Sequence, residues 1–116
     1  MIIGKVSTGF GKGKQYVEKY QQYFIEHLEF IPYFGTLNLV VSNYPDLPEE
    51  KKVSIIPSGQ GRVDCYPVLI NNKYKGAIVV PHKTRHGNDV IELICPEHLR
   101  EVFKLNDGDE IKCELV

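Results

Sequence analysis

The stretch Pro32-Tyr33-Phe34-Gly35-Thr36-Leu37-Asn38-Leu39 organises the rest of the chain, because it stops a helical pattern, turns the backbone and opens a strand. Side chains alternate across a strand, so Thr36 and Asn38 share one face while Leu37 and Leu39 share the other, with Val40 and Val41 continuing the apolar run. One face packs and the other offers oxygens. A polar strand face is ordinarily solvated surface. A hydroxyl beside an amide carbonyl is also a hard-oxygen pair of the kind that suits Mg²⁺, an ion that keeps several waters and completes its shell from substrate phosphates. The residues alone leave both readings open.

A chain of 116 residues is the size of one domain with a real core, and a single domain over residues 1–116 is expected. The formal net charge is −1 with acids and bases interspersed, which gives no footprint for nucleic acid and no membrane-surface helix. Apolar runs are far shorter than a membrane span, and Met1-Ile2-Ile3-Gly4 lacks the charged and apolar regions of a signal peptide, so a cytoplasmic protein is expected. Cys65, Cys95 and Cys113 are odd in number, widely separated and set among apolar residues, which predicts reduced, buried thiols.

From the start, Met1 to Val6 reads as a strand, followed by Ser7-Thr8-Gly9-Phe10-Gly11-Lys12-Gly13-Lys14. Glycines at that spacing permit positive φ and let successive N–H groups converge on an anion, with lysine adding charge. The same spacing also describes a glycine-rich hairpin turn, and it lacks the ending of a P-loop. Apolar residues at Tyr16, Val17, Tyr20, Tyr23, Phe24 and Leu28 predict a helix that begins either near Tyr16 or nearer Lys19 and runs until Pro32 stops it. Its aromatic stripe is read as core.

Residues 42–61 read as a surface excursion holding one edge strand, Val53-Ser54-Ile55-Ile56. Arg62 to Ile70 and Lys73 to Val80 form a predicted hairpin across Asn71-Asn72, with Pro67 marking an edge or a bulge. A polar loop from Pro81 to Asp89 leads to the strand Val90 to Cys95. Within it Glu92 either faces solvent or is buried with a partner, since an unpaired buried charge is costly. Pro96 fits the first position of a second helix with Leu99, Val102 and Phe103 on one face, and Leu105 to Ile111 turns into a last strand. The pattern predicts a mostly β fold: a small antiparallel barrel with two short α-helices at its ends. His82-x-x-x-His86 and Cys95-x-x-His98 lack the paired ligands of a zinc site, and nothing near Cys95 identifies a base for a nucleophile.

In order, Gly9-Phe10-Gly11-Lys12-Gly13, Pro32 to Leu39, Gly76-Ala77-Ile78-Val79-Val80-Pro81 with Lys83-Thr84-Arg85-His86, and Leu99 to Asp109 resemble the archaeal CTP-dependent riboflavin kinases. Glu29 departs from the family pattern, which has glycine before Phe30. The resemblance implies a cradle-loop β-barrel that moves the γ-phosphate of CTP to the 5′-hydroxyl of riboflavin, giving FMN and CDP. It implies that Gly9, Phe10, Gly11, Lys12, Gly13 and Lys14 hold the nucleotide phosphates, that Thr36 and Asn38 bind Mg²⁺, that Thr84 and Glu92 contact the flavin, and that Glu97, His98, Leu99 and Arg100 line the nucleotide. Some family members add an N-terminal helix-turn-helix domain; a chain that starts at the barrel is expected to act alone, as a monomer. No general base is named, since phosphoryl transfer asks more for positioning and charge neutralisation than for covalent chemistry. The competing expectation is a non-catalytic barrel, a small-molecule sensor or a DNA-binding dimer, whose mark in the DNA case is clustered Lys and Arg.

Overall fold

Local turn chemistry sets the longest pairing in the computed structural model, which describes residues 1–9, 11–82 and 89–116. Asn71 and Asn72 both hold left-handed backbone, with φ of 49° and 56°, a conformation asparagine tolerates better than most residues. The Lys73 N–H donates to the Ile70 carbonyl at 2.9 Å. Strand β4 (Val63–Ile70) therefore folds back on β5 (Tyr74–Pro81), paired from Val63↔Pro81 to Ile70↔Tyr74. The other strands are β1 (Ile2–Ser7), β2 (Leu37–Val40), β3 (Val53–Ile55), β6 (Val90–Ile94) and β7 (Glu110–Leu115), and every pairing is antiparallel.

One edge of β4 has two partners. Its residues 63–65 pair with β3, and its residues 68–70 pair with β7. The second pairing closes β4, β5, β6, β2, β1 and β7 into a barrel, which removes the open edges those strands would otherwise present. Pro67, expected at an edge or bulge, lies inside β4 where the partner changes from β3 to β7. Its carbonyl accepts the Val116 N–H at 3.2 Å. The N–H and C=O of a strand residue face the same neighbour, so the missing donor falls in the break between β3 and β7 and costs no ladder bond.

Alternation sorts the apolar residues into two compartments. Leu37, Leu39, Val68, Ile70, Ile78, Ile91, Leu93 and Ile111 fill the barrel. The outward positions Cys65, Ala77, Val79 and Ile94 form a second cluster with Val17, Tyr20 and Phe24 of the helix α1 (Gly13–Leu28). The helix thus lies along the barrel wall, not at its end, because the outer faces of β4, β5 and β6 are apolar and need cover.

Helix α1 takes in Gln15-Tyr16-Val17 from its first turn and stops at Leu28, short of Pro32. Glu29 ends it in left-handed backbone, φ 62°, with its N–H bonded to the Ile25 carbonyl at 3.0 Å. This is the site where helices favour glycine. The second helix, α2 (Leu99–Val102), is a single turn; the chain bends at Pro96 and Glu97, and His98 is still extended, so Pro96 precedes the helix instead of opening it. The Cys95 carbonyl accepts the Tyr33 N–H at 2.8 Å and holds that approach in place. Leu99 is buried and Phe103 packs on the barrel core, while Val102 is exposed.

A side chain in left-handed backbone costs roughly 1 kcal/mol, part of which glycine gives back through its own conformational entropy. Glu29→Gly is therefore expected to raise stability by about 0.5 kcal/mol in urea denaturation. An unchanged or lower midpoint would overturn the strain account.

Candidate active site

Strand register builds the site. Ser7, Asn38, Glu92, Val79 and Cys65 stand opposite one another in turn across β1, β2, β6, β5 and β4, so their side chains share the outer face of the barrel. The Val79–Cys65 end of this row is apolar and belongs to the cluster under α1. The other end is polar. Thr36, two residues before Asn38 on the same face, donates its hydroxyl to Glu92 Oε1 at 3.2 Å. Asn38 is only 8% exposed, and its Oδ1 has no hydrogen-bond partner among the described residues. Thr36 and Asn38 therefore do not form a solvated strand face, and Glu92 is half-buried with a partner.

The glycine loop is pressed onto this end of the row. A Cβ on Gly9 would collide with the Asn38 amide nitrogen, and one on Gly13 would lie 2.5 Å from Thr36 Oγ1 and 2.9 Å from the Thr36 backbone nitrogen. Gly11 instead supplies a turn, with φ of 77°. The loop runs straight into α1, whose first turn carries no acidic side chain and no side-chain cap. The opening N–H groups of a helix have no partner within it, and with exposed Lys12 and Lys14 beside them they form an environment that favours an anion.

Thr36 also borders a cleft of about 200 Å³, formed by Tyr33 to Leu37 on one side and Glu97 to Arg100 on the other, over Leu93 and Cys95. The Tyr33 ring stacks on His98, with centroids 4.4 Å apart and planes within 4°. Arg100 Nη2 donates to the Ser7 carbonyl at 3.1 Å and to Asp107 Oδ1 at 2.8 Å, while Thr8 donates its hydroxyl to Asp107 Oδ2 at 2.6 Å. The Thr8 hydroxyl and the Arg100 guanidinium hold the Asp107 carboxyl below its ordinary range. Cleft and glycine loop are thus joined through one exposed carboxylate.

A sequence model named CTP-dep_RFKase, with the description "Domain of unknown function DUF120", matches residues 6–115. The chain belongs to the CTP-dependent riboflavin kinase family. It is similar to proteins named riboflavin kinase from Thermococcus kodakarensis, 38% identical over 126 residues, and from Methanococcoides burtonii, 39% identical over 123 residues. These alignments take in 100% and 96% of this chain but 59% and 55% of the relatives, so the chain spans little more than half of their length. A riboflavin kinase from Sulfurisphaera tokodaii is 38% identical over 127 residues, covering 98% of this chain and 93% of the relative. Relatives named as enzymes disfavour the non-catalytic barrel.

Of the residues the family resemblance singles out, the fold gathers Gly9, Gly11, Lys12, Gly13, Lys14, Thr36, Asn38 and Glu92 at one end of the outer row, and Glu97, His98, Leu99 and Arg100 at the adjoining cleft. Phe10 and Thr84 lie outside the described residues. Sequence reasoning missed Tyr33 as a cleft wall, and it missed the tie from Arg100 to Asp107 and Ser7, which joins residues far apart in the chain. The cysteines are free and buried. Burial pushes the thiols of Cys65 and Cys113 up to about 12 and raises that of Cys95, so none is a nucleophile at neutral pH. Among the described residues no three His, Cys, Asp or Glu side chains gather to hold a metal, and no helix is long and apolar enough to cross a membrane.

A second polar group stands where β5 leaves the sheet. Asp64 accepts hydrogen bonds from Ser54 Oγ at 2.9 Å and Arg62 Nε at 3.1 Å, and its Oδ2 lies 2.8 Å from His82 Nε2. Burial by itself raises the Asp64 carboxyl, but the contacts from His82, Ser54 and Arg62 outweigh it and hold the group below its usual value. A depressed carboxyl contributes stability that is present above its unfolded value, near 4, and is lost as pH falls through the folded value. Asp64→Asn is expected to cost roughly 1–3 kcal/mol at pH 7 and to flatten the loss of stability below pH 4, read from urea midpoints across pH 2–7. An unaltered acid limb would remove Asp64 from that role.

Proposed function

We propose that this chain transfers the γ-phosphate of CTP to the 5′-hydroxyl of riboflavin, forming FMN and CDP, and that residues 1–116 act as one cytoplasmic kinase domain, active as a monomer. The observation that carries this reading is the contact of Gly9 and Gly13 with the side chains of Asn38 and Thr36. It brings an uncapped helix start and two lysines against a pair of neutral oxygens, as a nucleotide triphosphate and its counter-ion require.

In this reading the N–H groups of residues 9–14, with Lys12 and Lys14, bind the phosphates and orient the γ-phosphorus. The buried Oδ1 of Asn38, unpartnered among the described residues, and the hydroxyl of Thr36 fit a hard divalent cation. Mg²⁺ held there offsets negative charge on the phosphates. Because both ligands are neutral, the phosphates must supply the remaining charge, which couples metal affinity to nucleotide binding. Glu92, beside the pair, accepts a hydrogen bond from the flavin substrate, with Thr84 as its second contact. The 5′-oxygen forms its bond to the γ-phosphorus as the bond to the bridging oxygen of CDP breaks, and the hydroxyl proton leaves to water; such a loose transition state is served by positioning and charge more than by a strong base.

Each of Thr36→Ala and Asn38→Ala is expected to lower turnover by about 100-fold or more while circular dichroism stays that of the wild type, since Leu37 and Leu39 still pack. Full turnover in either variant would sink the metal assignment.

Phosphates are the same in every nucleoside triphosphate, so preference among them has to arise at the base. Glu97 to Arg100, with the Tyr33–His98 stack, line a cleft with the polar groups to read one base edge over another. UTP exchanges donor and acceptor at the 4-position, leaving buried polar groups unpaired. Purified protein with riboflavin, Mg²⁺ and one nucleotide at a time is expected to form FMN with CTP about a thousandfold faster than with UTP or ATP. Similar rates with all three would refute base reading by this cleft, and no FMN with any would refute the proposed reaction.

A further inference from the structure

Tyr16 carries an oxygen that the roles above leave unused. Its hydroxyl is buried with no hydrogen-bond partner among the described residues. The ring cannot swing that oxygen out to water without leaving its neighbours: its centroid lies 4.9 Å from that of Tyr20 and 6.1 Å from that of Phe24, the latter edge-on. An unsatisfied buried hydroxyl is destabilising, and phenylalanine would fill the same aromatic site without that cost.

The fold also defines what this hydroxyl faces. Tyr16 lies in the first turn of α1, three residues after the glycine that abuts Thr36, and packs on the outer cluster that contains Cys65, Val79 and Ile94. Val79 stands directly opposite Glu92 in the row, so the cluster that Tyr16 packs on ends beside that carboxylate. Burial above all raises the phenol, so it remains a donor at any working pH.

We infer that Tyr16 is a substrate-binding residue whose hydroxyl, with the Glu92 carboxylate, seats one alcohol group of the acceptor, a hydroxyl of the ribityl chain. The chemistry selects an alcohol. A carboxylate has accepting capacity beyond the bond from Thr36, whereas the phenol has a proton to donate, and an alcohol can give its proton to the one and its oxygen to the other. A carboxylate ligand would be repelled by Glu92, and a flat ring without hydroxyls would leave Tyr16 unpaired. This assignment rests on riboflavin being the acceptor.

Tyr16→Phe, Glu92→Gln and the double variant test it, using riboflavin and lumiflavin, which has the same ring system without the ribityl chain, as separate probes. Flavin fluorescence titration is expected to show riboflavin binding about tenfold weaker in Tyr16→Phe, with lumiflavin and CTP affinities unchanged and the melting temperature equal or higher. The double variant should lose less than the product of the single losses, because both groups hold one hydroxyl. Unchanged riboflavin affinity in Tyr16→Phe, an equal loss for lumiflavin, or a melting temperature several degrees lower would each overturn the inference, the last by showing that the hydroxyl has a structural partner. Wild-type protein that binds no riboflavin and forms no FMN would instead overturn the proposed reaction beneath it.

Discussion

The burial of Val17, Tyr20 and Phe24 against Cys65, Ala77, Val79 and Ile94 fixes everything that follows at the outer face. These residues hold α1 along the barrel wall, and the start of the helix is then carried onto β2 by geometry alone. Gly9 and Gly13 permit the contact, but the apolar area further along the helix drives it. A polar site assembled in this way need not be stable in itself. Among the described residues Asn38 keeps an unpartnered oxygen and Tyr16 an unpartnered hydroxyl, and the cost of both falls on a hydrophobic contact one or two helical turns away.

Such an arrangement separates what holds the fold from what holds a ligand. The barrel interior is filled by Leu, Ile and Val from all six strands of the closed sheet. The side chains with spare hydrogen-bonding capacity stand on the opposite face of the same strands. Leu37 and Leu39 anchor β2 from the inside while Thr36 and Asn38 face out, so the two sets can vary independently.

Legibility in the sequence followed the range of the interaction. The Asn71-Asn72 hairpin depends on two residues and their left-handed preference, so the sequence predicted it. The alternation of Thr36, Leu37, Asn38 and Leu39 was legible for the same reason. Closure of the barrel through Val68↔Leu115 was not, since nothing local marks which distant strand takes the second half of β4's edge. Nor was Glu92 legible as a partner of Thr36, 56 residues away in the chain: a carboxylate between aliphatic residues has the same local pattern whether it faces water or a hydroxyl. The start of α1 was blurred because Gly13 is a poor helix former, and tertiary packing on β2 decided it. The spacing of the aromatic stripe on α1 predicts core, and Tyr20 and Phe24 are buried there. Tyr16 shares their spacing and differs only in where its oxygen ends.

The three thiols divide between the two apolar compartments. Cys65 lies beneath α1, whereas Cys95 and Cys113 belong to the barrel interior. Cys65 and Cys113 are held protonated by burial, so a thiol-directed reagent must wait for their compartments to open. The chain therefore carries its own pair of clocks: modification of Cys65 times the lifting of the helix from the wall, and modification of Cys113 times the parting of the strands.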